Sequence, residues 1–304
     1  MRKSKESKKY KIKYNKREAS VAYTFIAPML VGILVFYVFA FLQNIYFSFN
    51  KMGAFGTPEF IGIDNYIRMF GDSNFYIALK NTLFYAFLGT PLVVGISILL
   101  ANLLNQKIKG IGLYRTAIFL PAVTMPAAIG LLWRWLFNYQ YGLINFILQK
   151  IGIQPIAWLS DPNTVKYAIL IVLVWSMISY QTIIVLAGLQ SIDKSYYEAA
   201  EIDGASKFQL FRKITLPLLS PTIFYVSVVS MIGILQIFDF IYLMIQRTSV
   251  SYQYSMSLVT FFYDLAFTQN LRGYASAVTV VLFIIILIIT VIQFIVQKRW
   301  VNYD

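Results

Sequence analysis

Six stretches of this chain are long and apolar enough to cross the hydrocarbon of a bilayer as helices, which takes about 20 residues each. They lie at positions 22–45, 82–104, 116–137, 167–189, 217–245 and 275–296. A segment in lipid has no water to satisfy its backbone groups, so each stretch is expected to be helical. The first is longer than the roughly 7–15 residues of a signal-peptide core and reads as a retained helix. The fifth is long enough to need tilt or to project beyond the bilayer. The expected fold is therefore an all-α integral membrane protein with six transmembrane helices.

Composition supports this reading and removes several chemistries. Hydrophobic residues make up 59% of the 304 positions and charged residues 13%, against about 45–50% and about 25% in soluble domains. The excess apolar surface needs lipid to cover it. The chain has no cysteine and no histidine, which excludes disulfides, thiolate nucleophiles, imidazole bases and His or Cys metal sites. No catalytic residue and no metal ligand is assigned.

Charge sets the expected orientation. Nine of the 26 basic residues fall at positions 2–17, where only Glu6 opposes them. This basic tail, 1–20, runs directly into the first apolar stretch, where Lys and Arg orient a helix and meet anionic lipid heads. The same charge needs no nucleic-acid partner, and none is expected. An even number of spans puts both ends on one side, and the positive-inside rule makes that side cytoplasmic: N-in, C-in. On this topology eighteen basic residues lie inside and eight outside. Arg134 and Lys166, among the eight, sit near outer helix ends where long side chains snorkel toward water. Residues 21–304 form one transmembrane domain, with prolines 28, 91, 121, 126 and 221 in or near spans, where neighbouring helices can re-satisfy freed backbone groups.

The inner stretch 190–216 is too polar for lipid. From Ser195 it reads Ser-Tyr-Tyr-Glu-Ala-Ala-Glu-Ile-Asp-Gly-Ala-Ser. Glu198, Ala199, Ala200 and Glu201 are helix formers, Gly204 can end their helix with a positive φ, and 207–214 offers a further turn or two. Pro217 suits the first turn of the next span. Two readings stay open on these grounds: an amphipathic connector lying on the membrane surface, or a docking knob whose small alanines allow close approach and whose acids pair with a basic partner.

Glu198-Ala199-Ala200, then Gly204, then Ile214-Thr215-Leu216-Pro217 resemble the "EAA" loop of binding-protein-dependent ABC importer permeases. Phe60-Ile61-Gly62-Ile63-Asp64-Asn65-Tyr66, Phe119-Leu120-Pro121, Leu132-Trp133-Arg134-Trp135-Leu136-Phe137-Asn138, Gly273-Tyr274-Ala275-Ser276-Ala277 and Lys298-Arg299-Trp300-Val301 resemble landmarks of the maltose and glycerol-phosphate permeases within that family. The resemblance implies a type I importer permease in a prokaryotic cell membrane, importing a carbohydrate. Its coupling loop would fit a cleft on a separate ATPase, with Glu198 as ionic anchor and Gly204 as turn, and with Ala199, Ala200, Asp203, Leu216 and Pro217 completing the contact. It also implies a second homologous permease subunit, two ATPase subunits or a homodimeric ATPase, and an extracytoplasmic solute-binding protein. The chain has no Gly-x-x-x-x-Gly-Lys-[Ser/Thr] loop to cradle phosphates, so ATP and Mg belong to the ATPase and no cofactor is expected here. Positions 246–254 depart from the family's glycine-rich Gly-Gly-Pro turn, and the large outer insert of the maltose permease is absent.

Polar groups within the spans suggest a solute path. Trp175, Ser176 and Tyr180 in the fourth span occupy positions that, by the same resemblance, fall near the maltose permease's sugar site. Gln236, Asp239 and Tyr242 in the fifth span share a broad face at helical spacing. A carboxylate at such depth normally faces a bundle interior or watery cavity. Each of these residues also has an ordinary structural role open to it, as packing, interfacial belt or interhelical hydrogen bond. A proton-coupled secondary carrier would share the apolar spans and the buried acid, but it leaves the 198–217 pattern without a purpose.

Overall fold

The computed structural model describes residues 16–106 and 109–302; the basic tail lies outside them up to position 15. Among the described residues, four helices are long and apolar enough to cross a membrane: Arg17–Ser48, Ser73–Leu104, Val165–Ser191 and Arg272–Gln297. Two further apolar segments are bent pairs. Ile111–Val123 and Pro126–Leu136 meet at 105°, and Lys207–Leu218 and Ser220–Leu235 meet at 66°.

These breaks correct the expected third and fifth spans, neither of which is a single helix. In the third, Thr124 and Met125 are extended, with ψ of 135° and 136°. The ring of Pro126 disfavours helical backbone at Met125, and its missing N–H is no loss at a first helical position. In the fifth, Pro217 closes the first segment of the bent pair, and it is Pro221, not Pro217 as expected, that takes the opening turn of Ser220–Leu235.

A second interruption follows at Gln236, Ile237 and Phe238, and a new short helix starts at Asp239–Met244. The Ile237 carbonyl freed there accepts a 2.6 Å hydrogen bond from Ser257 Oγ, which offsets the lost intrahelical bond. Gln236, Asp239 and Tyr242 therefore do not share one helical face: the first ends one helix and the other two belong to the next.

The Ser73–Leu104 helix is the centre of the bundle, packed along Val165–Ser191 and Ser220–Leu235. Gly89 permits this, since a Cβ there would stand 3.1–3.3 Å from Ile234, Leu173 and Leu170. Two apolar clusters result. The larger holds Tyr85, Val93, Ile169 and Ile234, and the smaller, toward the 190–216 loop, holds Ala101, Val185, Leu189 and Leu219. At the opposite end a two-residue antiparallel ladder pairs Asn50–Lys51 with Glu59–Phe60. Asn65 fixes it by donating to the Ser48 and Asn50 carbonyls at 2.9 and 3.0 Å. Phe25 and Phe36 on Arg17–Ser48 remain largely bare, as side chains that face lipid or a partner do.

Candidate functional site

The 190–216 loop is built as a compact knob. Val165–Ser191 stops where Ile192 turns extended, and Asp193 caps the next helix, accepting from the Ser195 N–H at 2.8 Å. Hydrogen bonds from Ser195 hold the Asp193 carboxyl below its ordinary range. The helix Lys194–Ile202 exposes Glu198, Ala199 and Glu201 and half-buries Ala200.

Its end is a paired glycine cap. Ala205 N–H donates to the Ala200 carbonyl at 2.9 Å and Gly204 N–H to that of Glu201 at 3.0 Å. Gly204 has φ of 78°, with Asp203 as the C-cap, the left-handed conformation glycine adopts without a Cβ penalty. Ser206 then opens Lys207–Leu218 through a reciprocal capping box with Gln209, a feature legible in its Ser-x-x-Gln spacing though not among the expectations for this loop.

The knob is tied to the chain that enters the fifth span. Thr215 is buried, and its Oγ1 donates to the Leu210 carbonyl at 3.4 Å and lies 3.1 Å from the Tyr197 hydroxyl, from which it accepts. Leu216 and Pro217, half-buried, continue toward the bend. Beyond it, Gly188 of the fourth span meets Thr222 so closely that a Cβ would stand 2.6 Å from Thr222 Oγ1. The knob is thus in contact, through this segment, with the packed end of the fourth span and start of the fifth. Ile202 and Phe208 are 87% and 69% exposed, next to Glu198, Glu201 and Asp203.

The residues expected along a solute path fall in three places. Trp175 is half-buried and packs edge-on against Trp133, ring centroids 5.5 Å apart; Ser176 donates to the Leu173 carbonyl at 2.9 Å; Tyr180, one turn on from Ser176 along the same helix, is exposed. Gln236 lines a cavity of about 340 Å³ with Phe41, Phe262, Thr279 and Phe283. Asp239 is exposed at the second break, and Tyr242 belongs to an aromatic group with Phe238 and Tyr263. The structure does not gather the six around one pocket.

It does reveal a polar anchor that sequence spacing gave no sign of. Arg247 is ion-paired with Asp264, which also accepts from the Tyr252 hydroxyl at 2.7 Å. Burial is the largest influence on Asp264 and moves its pKa up, with the Tyr252 hydrogen bond and Arg247 opposing it. These residues join the 246–254 stretch to Leu258–Thr268.

Residues 78–302 match the family described as "Binding-protein-dependent transport system inner membrane component". The trehalose/maltose transport system permease protein MalF of Thermococcus litoralis is 34% identical, the match covering 93% of this chain and 94% of that one. The arabinooligosaccharides transport system permease protein AraP of Bacillus subtilis is 33% identical over 92% and 88%. Among solved structures, a chain of a bacterial ABC transporter involved in the import of the acidic polysaccharide alginate superposes with a TM-score of 0.83 at 25% identity, covering 94% of this chain and 98% of that one.

Proposed function

The chain belongs to the family of binding-protein-dependent transport system inner membrane components, and from that premise we propose that it is the membrane-spanning permease subunit of an ATP-driven carbohydrate importer. It crosses a prokaryotic cell membrane six times, each bent pair counting as one span, with both ends inside. Sugar transport is the reading favoured by relatives named for trehalose and maltose or for arabinooligosaccharides.

One observation carries the mechanism: the exposed Glu198 helix is closed by Gly204 and hydrogen-bonded through Tyr197 to Thr215, on the segment that becomes the fifth span. A rigid knob of this kind converts movement of a docked ATPase into movement of the helices behind it. Glu198, Ala199, Ala200, Asp203 and Gly204 form the docked face, and Leu216 and Pro217 carry the motion onward. ATP and Mg act on the ATPase. The working assembly comprises a second homologous permease subunit, two ATPase subunits or a homodimeric ATPase, and an extracytoplasmic solute-binding protein. Within the spans, Trp175, Ser176, Tyr180, Gln236, Asp239 and Tyr242 contribute to the solute path.

Copurification tests the docking. An ATPase from the same transport system, co-expressed with this chain and a second permease subunit, should be retained by wild type and lost with Glu198→Lys. Equal retention by both would remove the loop from the interface. For the topology, single Ser4→Cys and Ser160→Cys variants of this cysteine-free chain should label from opposite sides of the membrane; labelling from one side rejects the arrangement.

A further inference from the structure

The segment that follows the sixth span turns back onto the bend at the entry to the fifth. Arg272–Gln297 gives way to a tight turn in which the Trp300 and Val301 N–H groups both donate to the Gln297 carbonyl, at 3.0 and 2.9 Å. Lys298 and Arg299 begin that turn, where their charge suits the negative end of a helix dipole. The Asn302 N–H then donates to Ser220 Oγ at 2.9 Å, across 82 residues of sequence. Trp300 packs edge-on against Phe224, ring centroids 6.3 Å apart, and Phe294 of the sixth span flanks the same ring at 5.2 Å.

Ser220 stands where the bend is made. Lys207–Leu218 and Ser220–Leu235 meet there at 66°, and Pro221 has no N–H to offer the Pro217 carbonyl four residues back. The Ser220 hydroxyl donates to that carbonyl at 2.6 Å. Ser220 is only 2% exposed, so the rest of its hydrogen-bonding capacity is cut off from water and has to be met from within the protein. The Asn302 N–H meets it. Phe224, one turn further on, is 7% exposed and faces Trp300. No residue of the sixth helix beyond Leu282 is buried, so the fold-back is not a by-product of core packing. It is an attachment made at the bend.

We propose that residues 298–302 are a strap that holds the bend at its angle and thereby presents the knob to the ATPase, with Trp300 and the Asn302 N–H as positioning residues for that docking. They act through Phe224 and Ser220, outside the docked face. Thr215, five residues before Ser220, carries the contact to Tyr197, so a bend that relaxes shifts the helix bearing Glu198 relative to the spans. This inference rests on the importer reading of the chain; it adds to coupling a segment that lies far in sequence from the 190–217 region.

The test titrates the ATPase of the same transport system onto the immobilised pair of permease subunits and reads its affinity. Asn302→Pro removes the donor and Trp300→Ala the ring; each should weaken binding several-fold to about tenfold, as loss of a buried hydrogen bond or an aromatic contact implies. Thermal unfolding of the permease pair should stay at the wild-type temperature. Asn302→Ala keeps the N–H and should bind as wild type, and Trp300→Phe should recover most of the loss. Because the chain has no cysteine, Ser220→Cys and Asn302→Cys can be joined by a short thiol crosslinker in a pair whose second subunit also lacks cysteine. Affinity should be low before joining and return after it. Wild-type affinity in Asn302→Pro and Trp300→Ala, while Glu198→Lys still loses the ATPase, would overturn the strap and leave the knob standing. A loss that joining does not restore, or that a fall in folded permease fully accounts for, would overturn it too. A wild-type pair that retains no ATPase would remove the docking reading along with the strap.

Discussion

The Tyr197 hydroxyl stands 3.1 Å from Thr215 Oγ1, so the helix that exposes Glu198 is fastened to the chain entering the fifth span across 18 residues of sequence. If this bond holds the knob together, Tyr197→Phe and Thr215→Val should not add. A double-mutant cycle on thermal unfolding of the complex should show a coupling of about 1 kcal/mol, typical of one partly buried hydrogen bond. Strict additivity would mean that the two hydroxyls do not cooperate.

Gly204 separates conformation from contact. A Cβ there meets nothing within 4 Å, yet φ is 78°, so a substitution is penalised by the backbone alone. Asparagine visits this region far more readily than a β-branched residue. Gly204→Asn should keep most of the uptake, and Gly204→Val should lose most of it while still reaching the membrane. Equal uptake by the two would show that the left-handed turn is dispensable.

Gly188 offers the opposite test. Its Cβ would stand 2.6 Å from Thr222 Oγ1 and 2.9 Å from Leu219 Cδ1, forcing the fourth and fifth spans apart. Gly188→Ala should cost about 1–3 kcal/mol, as overpacking does, and Thr222→Ala should recover part of it. Gly95→Ala, with nothing within 4 Å, should be neutral or stabilising, since alanine suits a helix interior better than glycine. Thermal unfolding in detergent compares the three.

For the solute path, Gln236→Leu is the informative change, because Gln236 is exposed to a cavity lined mostly by apolar side chains. A structural glutamine could be replaced by leucine at little cost in lipid. One that hydrogen-bonds sugar should lose several-fold to about tenfold uptake at limiting solute, the worth of one hydrogen bond, with assembly intact. Trp175→Phe, which keeps a ring against Trp133, should fall less than Trp175→Ala. Wild-type uptake by Gln236→Leu would take that residue off the path.

Hydropathy and charge were enough to anticipate an all-helical membrane chain, because membrane-length apolar runs admit few other folds. The local structure of the 190–216 loop was equally legible: the helix formers at 198–201 and the glycine at 204 do what their propensities dictate. The bends were not. Pro126 and Pro221 were visible, but proline in a span is compatible with a mild kink or with the observed 105° and 66° turns, and only tertiary contacts decide which. The break at Gln236 carries no local signal, since the Ile237 carbonyl freed there is satisfied by Ser257, twenty residues away. Reading 217–245 as one helix consequently grouped Asp239 with Gln236. The Arg247, Asp264 and Tyr252 clamp escaped notice for the same reason, being assembled by the fold rather than by spacing.

Uptake into proteoliposomes is the most direct measurement. The importer, reconstituted with its ATPase exposed to added ATP and with its solute-binding protein on the other face, is offered radiolabelled maltose, trehalose, lactose and arabinotriose. The account predicts that at least one accumulates only with ATP and Mg, that dissipating the proton gradient leaves uptake unchanged, and that Glu198→Lys abolishes it. Accumulation driven by a proton gradient without the ATPase, or ATP-driven uptake undiminished by Glu198→Lys, would contradict it.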